Sequence, residues 1–466
     1  MMSSMTRRGV WAFAAFVLAT CASPALAHVK WFSDFSYDDV PLTLTQVMSP
    51  TFLWLAGLSA LAMGLLVVLD DRLQDLPGYR GIDQWLRNRS SQSGVILRAG
   101  MAAVLLLSWQ ADSLLAPELH LRAEWLGGVE FFAAMMLLFA RTIPVGGALV
   151  LALYVDGVGT FGILHMLDYL HYAGGGYYLL VSQADPRWRA SGLPALYSTV
   201  GFSLCWLGFE KLVYPKWGLY VLQQNPALSL GLDLEFFLTG SAFVEICLGY
   251  LLIICLLQRP IALLVTLVFF STTMLFGKVE VIGHTQVHAA LIVFLIEGPG
   301  SRYRAPYTFH RRMPLRVAFA VVNFVILLGL VGAGYGAAAA MEYSKQALQG
   351  ESDRRPVIVS PQPSIDFRIV EEGQMGRVLE LTTTNFRFSA GGVHEDGAGH
   401  AHLYVDGRQV GRLYGPLHDI ARLPAGPHEI NVTLNTNDHR PYGTGTGIVQ
   451  RSKKIILSAG NNNDDG

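Results

Sequence analysis

The chain is 466 residues long, 52% hydrophobic and only 15% charged, with mean hydropathy +0.37 and a formal net charge of -1. That is too apolar for a soluble chain and fits a polytopic membrane protein with room for two or three domains. The near-zero charge offers no basic footprint for nucleic acid, and no Walker or GxGxxG loop marks a nucleotide site.

The front of the chain reads as a secretory leader over 1–27. Arg7-Arg8 precede an apolar run from Val10 to Ala19, and Ala25-Leu26-Ala27 is a small-x-small cleavage triplet. The run is too short to span a bilayer comfortably. Cleavage after Ala27 makes His28 the first residue, with a free amine and an imidazole that together suit copper. Cleavage sites also precede residues with no such role.

Ten apolar stretches follow, at 52–70, 96–116, 125–141, 144–163, 166–183, 193–213, 235–257, 260–277, 281–297 and 315–340. The third, fifth and ninth are short. With the mature N-terminus outside, alternate loops carry Arg72, Arg80, Arg87, Arg89 and Arg98, then Arg141, then Arg187 and Arg189, then Arg259, then Arg302, Arg304, Arg311, Arg312 and Arg316. The opposite loops carry far fewer basic residues. By the positive-inside rule both ends face outward from a bacterial inner membrane, into the periplasm of a Gram-negative cell. Cys205, Cys247 and Cys255 fall in apolar runs and read as small buried hydrophobes, without a disulfide or a CxxC redox pair.

On this topology the polar chemistry gathers at the outer ends of the spans. Glu210, Lys211, Lys278, Glu280, His284, His288, His165, Asp168 and His171 all fall there, and Asp112 and Asp156 lie in outer halves of spans. Glu245 falls near mid-membrane, where an unpaired carboxylate costs about 2.5–3.5 kcal/mol on insertion scales. His284 and His288 are spaced i,i+4 on one helix face, which suits a metal or proton exchange with a quinone headgroup. His165 and Asp168 are spaced i,i+3, so the carboxylate could orient the imidazole. The competing reading is structural, with Glu210 pairing Lys211 and Glu280 pairing Lys278.

Residues 341–356 are polar and end at Pro356, which reads as a linker after the helical membrane domain 28–340. From 357 to 458 apolar and polar residues alternate between turn signals. "RVLELTTTNFRFS", "HAHLYVDG" and "HEINVTL" predict a small antiparallel β-sandwich, followed by a disordered tail at 459–466. The expected fold is therefore mainly α: a polytopic transmembrane helical bundle of about ten helices with a C-terminal periplasmic β domain. That domain holds His394, His400, His402, His418, His428 and His439. His400 and His402, two residues apart on a strand, share one face and could hold copper or zinc, with His439 supplying a further ligand. Histidines on strands also serve solubility and local hydrogen bonds.

Two resemblances add expectations. "GFSLCWLGFEKLVYPKW", "FFLTGSAFVEICLGYLLI" and the Arg259-Pro260 and Gly283-His284 helix starts resemble the DoxX superfamily, a four-helix membrane module here placed at 193–298. That resemblance implies an accessory role in a quinone-linked envelope redox process, among other membrane redox subunits and within the lipid bilayer. Residues 390–442 resemble small exported His-rich β domains. Two other classes compete: a metal-handling membrane protein using His400, His402, His439 and His28, and a scaffold that docks a partner through its β domain.

Overall fold

The computed structural model describes residues 28–33, 35, 39–299, 305–352, 356–371, 377–389, 396–419, 426–437, 440–445 and 447–457. The expected leader at 1–27, the tail at 459–466, His394 and His439 lie outside the described residues. The chain divides into two compact units between Tyr343 and Ser344.

The first unit is helical. Its longer helices are α1 (Pro50–Gln74), α2 (Pro77–Arg87), α3 (Ser93–Gln110), α4 (Glu124–Leu138), α5 (Ile143–Phe161), α6 (Leu170–Val181), α7 (Pro186–Val213), α8 (Pro215–Gln224), α9 (Leu234–Ile254), α10 (Gln258–Phe276), α11 (Lys278–Glu297) and α12 (Met313–Ser352). Local signals start several of them. Ser49 accepts from the Phe52 amide at 3.2 Å and Asp233 from the Phe236 amide at 2.9 Å, each satisfying an orphan donor of a first turn. Prolines stand in the first turns of α1, α2, α5, α7 and α8, where a missing N–H costs nothing.

Eight helices among the described residues are long and apolar enough to cross a membrane. They are α1, α3, α5, α7, α9, α10, α11 and α12. The expected spans at 125–141 and 166–183 fall short of that length. The first is the 15-residue α4, and the second is a 3-10 turn leading into the 12-residue α6. At 1.5 Å per residue these are about 22 and 18 Å long, under the roughly 30 Å of a hydrocarbon core.

Glycines set how closely neighbouring helices approach. A Cβ on Gly201 of α7 would meet the carbonyl of Gly249 of α9, and one on Gly147 of α5 would meet the backbone of Gly176 and Leu180 of α6. Such backbone-on-backbone seams are how apolar helices pack when lipid leaves no hydrophobic drive between them. The same contacts fix the directions. Gly127 lies by Trp109, Gly146 by Leu137, Gly174 by Thr199 and Gly208 by Ala242, so successive helices run antiparallel. One end of the bundle therefore collects Pro50, Gln110, Phe161, Val213 and Lys278. The other collects Gln74, Ser93, Val181, Gln258 and Met313, together with the described arginines of the run from Arg72 to Arg316.

Residues 28–33 and 35 do not stand clear of this bundle. Val29–Trp31 forms a 3-10 turn whose Val29 and Lys30 are buried, and Phe32 stacks on Phe276 with centroids 4.4 Å apart. This strap seals the first end.

Residues 341–352, expected as linker, continue α12 as helix to Ser352. The second unit is built of strands. β1 (Ser364–Glu371), β2 (Arg377–Thr384) and β6 (Leu417–Asp419) form one antiparallel sheet. β3 (Arg387–Phe388), β4 (Ala398–Val405), β7 (Gly426–Asn435) and β8 (Gln450–Leu457) form the other, with β5 (Arg408–Leu413) also on β4. The pairing is not wholly antiparallel as expected, since β3 runs parallel to β4. Phe367, Leu381, Ala401, Leu403, Val432 and Tyr442 belong to one core drawn from both sheets. Asp406, at the β4–β5 turn with φ +51°, accepts the Glu429 amide at 2.9 Å and contacts His428 at 2.7 Å. That amide, and then His428, hold its carboxyl below the usual carboxylate range.

Candidate functional site

The strap end of the bundle encloses a buried network of charge. Lys30 Nζ lies 2.5 Å from Asp168 Oδ2 and 2.5 Å from Glu210 Oε2, and all three side chains are fully buried. Behind them, Lys211 donates to Glu245 at 2.7 Å. On α11, His284 Nδ1 lies 2.7 Å from Glu280 Oε2, which also accepts from Thr272 at 2.8 Å. On the other side, Glu118 contacts His165 at 3.3 Å and accepts from the Tyr169 hydroxyl. Tyr169 in turn accepts from the Trp31 indole at 2.9 Å.

His28 sits in the middle. Its ring stacks on Trp31 at 4.9 Å and on Tyr169 at 5.1 Å. Nε2 is 3.5 Å from Asp168, yet neither ring nitrogen makes a hydrogen bond among the described residues. Burial, and then the Lys30 ammonium, hold its pKa well below the ordinary 6.5, so the imidazole is neutral.

Local structure explains why these groups meet. Glu210 and Lys211 are adjacent on α7, so they project about 100° apart around the helix. They do not pair with each other as expected. Glu210 turns to the strap and Lys211 to α9. The strap reaches Lys30 inward because Trp31 lies against Gly283, where a Cβ would overlap the indole ring.

The other expected pairings are also redrawn. His165 and Asp168 do not pair, because Glu118 takes the first and Lys30 the second. Glu280 turns to His284 and Thr272. His284 and His288 do share a helix face, but their rings meet edge to face at 6.4 Å and His284 stacks on Phe269 at 4.2 Å. His171 is buried with Nε2 lacking a hydrogen bond, its ring against Tyr172 at 4.6 Å. Asp156 pairs with Arg122 outside the network. Sequence reasoning missed Lys30, Glu118, Tyr169 and Trp31. The first and last stood beside His28 in "HVKWF", and charge in an apolar segment was the available signal.

Among the described residues of this network five carboxyl groups (Glu118, Asp168, Glu210, Glu245 and Glu280) face two ammonium groups (Lys30 and Lys211). Among the described residues several acceptors make no hydrogen bond: Asp168 Oδ1, Glu118 Oε2, Glu280 Oε1 and Glu210 Oε1, while Glu210 Oε2 is held by the Lys30 ammonium. Burying uncompensated carboxylates is costly, so this arrangement favours taking up protons or a polar ligand.

In the β unit, His400 and His402 project together from β4 as expected, with Nε2 atoms 2.9 Å apart, opposite Asn435 and Thr433 of β7. Ala401, Leu403 and Val405 fill the core from the opposite face. Among the described residues no group of three or more His, Cys, Asp or Glu is arranged to hold a metal ion. The histidine pair supplies two donors.

No family model matches this chain, and no curated protein or solved structure does either.

Proposed function

We propose that this multi-pass helical protein handles protons for a quinone-linked redox process, as an accessory component of the bacterial inner membrane. On this reading the strap end faces the periplasm and the arginine end the cytoplasm, in keeping with the positive-inside rule. The leader is removed, and the β unit is a periplasmic sandwich. The DoxX-like features of 193–298 belong to the same reading, since they contribute Glu210, Lys211, Glu245, Glu280 and His284.

The observation that carries the proposal is the excess of buried carboxyl groups over ammonium groups, with acceptors left open. When a quinol is oxidised its protons must go to bases and its electrons to an acceptor. Asp168, Glu210 and Glu245 are the bases. The electron acceptor belongs to a membrane redox partner, which the proposal requires. The test is quinone content and turnover. The purified chain should retain quinone, and quinol oxidation by membranes carrying the partner should fall in Glu210→Gln. Absence of retained quinone together with unchanged oxidation rates would refute it.

A second reading rests on the histidine pair. Their Nε2 atoms lie 2.9 Å apart, in hydrogen-bond contact, and a parting of a few tenths of an ångström would let both bind one copper or zinc ion at about 2.0–2.1 Å. Metal analysis of the full chain and of a His400→Ala/His402→Ala variant separates this reading from the first.

A further inference from the structure

The arginine end holds a second polar site, unrelated to the strap network. A cavity of about 230 Å³ is lined by Asp70, Gln74, Tyr79, Arg80, Asp83, Arg87, Cys255, Gln258, Pro299 and Tyr307. Its carboxylates are occupied. Asp70 accepts from Tyr307 and, at 2.6 Å, from Gln74. Asp83 accepts from Arg87 at 2.6 Å and from Arg259. Arg80 spends its Nε on the Gln74 carbonyl and one terminal nitrogen on Asp75.

What remains is donor-rich. Gln258 is only 2% exposed, yet among the described residues neither its amide nitrogen nor its amide oxygen has a hydrogen-bond partner. A buried amide left so is destabilising unless a guest satisfies it. Arg80 and Arg87 keep further N–H groups beyond those already named, and a guanidinium offers five.

The helix beside the cavity says where the guest comes from. In α2, Arg80, Asp83, Gln84 and Arg87 repeat at helical spacing on one face. Ile82 and Trp85 occupy the opposite face, 58% and 56% exposed. The polar face lines the cavity and the apolar face is uncovered. A helix of this kind lies along a membrane surface with its apolar side in the acyl boundary. Arg89 caps the arrangement over the Trp85 ring at 3.6 Å.

We infer that this cavity binds the headgroup of an anionic phospholipid of the phosphoglycerol class, and that it does so whether or not the strap network handles protons. The phosphodiester accepts from the free N–H groups of Arg80 and Arg87. The Gln258 amide nitrogen donates to the same headgroup, and its oxygen accepts from a glycerol hydroxyl. The acyl chains pass beside α2 into the same acyl boundary that Ile82 and Trp85 enter from the other face of the helix.

The test uses the full chain, stripped of lipid and returned to bilayer discs of phosphatidylglycerol or phosphatidylcholine, with lipid retention on re-extraction as the readout. Wild type should retain phosphatidylglycerol in preference. Gln258→Leu should lower that retention roughly tenfold, the loss of one hydrogen bond to a charged group. Arg87→Lys, which keeps the charge but loses the planar fork, should lower it as well and serves if Gln258→Leu does not fold. Equal retention of both lipids, or retention unchanged in a folded variant, would overturn the inference. So would displacement of bound lipid by soluble glycerol 3-phosphate at equal concentration, since the site would then serve a free phosphate ester.

Discussion

Lys30→Met is the most informative perturbation of the strap network. The ammonium lies 2.5 Å from both Asp168 and Glu210, and none of the three side chains touches solvent. Methionine keeps most of the stem volume and removes the charge. Two carboxyl groups then face each other without a cation. Breaking a buried pair by removing one partner costs about 3–5 kcal/mol, because the remaining charge has no compensation. For a helical unit of this size that corresponds to a fall of roughly 5–10 °C in the thermal midpoint. The assay is a melting scan of the detergent-solubilised full chain at neutral pH, repeated for Lys30→Met/Glu210→Gln. The double variant removes one of the stranded carboxylates and should recover a large part of the loss. If Lys30→Met melts with wild type, or if Glu210→Gln gives no recovery in its background, Lys30 is not the counter-ion of this network.

Three further outcomes follow from the geometry. His28 is neutral in the folded state and ordinary at 6.5 when unfolded, so the unfolded chain binds the extra proton as pH falls through 6.5. Its contribution is present above that pH and lost below it. Wild type should lose stability between about pH 7 and 5, and His28→Phe, which keeps the stack, should show a flatter profile in the same melting scans. Gly283→Ala should displace Trp31 and expose the strap to added protease, at a cost of about 1–3 kcal/mol for overpacking. Gly249→Leu should prevent assembly of α7 against α9, since even a Cβ there meets the Gly201 carbonyl; monodispersity in size-exclusion chromatography checks it.

Much of the architecture was legible because it rests on composition and period. Apolar runs gave the long helices, and alternation gave β2, β4 and β7. The two spans that fell short, 125–141 and 166–183, did so for a local reason. A 3-10 turn at Ala140–Thr142 ends the first, and a four-residue helix at Ile163–Met166 with a 3-10 turn at Leu167–Tyr169 delays the start of the second, which hydropathy averaged over a window does not register. The helix through 341–352 was hidden by its polar side chains, which resemble a linker once the hydrocarbon run ends.

At the site the residues were found and their partners were not. Glu210, Glu245, His284, His165 and Asp168 stand out as charge in apolar surroundings. Their pairing depends on the rotation of each helix and on a strap more than 130 positions away from Asp168 in the chain. Spacing rules joined Glu210 to Lys211 and His165 to Asp168 because those were neighbours in sequence. In the folded unit the neighbour in space decides, and Lys30 and Glu118 are those neighbours. His400 and His402 were easier, since a two-residue period on a strand fixes their common face without any tertiary knowledge.

The central claim is that the buried carboxyl groups change protonation when a quinone changes redox state. Redox-difference infrared spectroscopy of the reconstituted full chain with bound quinone measures this directly. The account predicts a carboxylic-acid band that appears on quinol oxidation and is lost or shifted in Glu210→Gln. A difference spectrum with no carboxyl band, or one identical in Glu210→Gln, Glu245→Gln and Asp168→Asn, would contradict it.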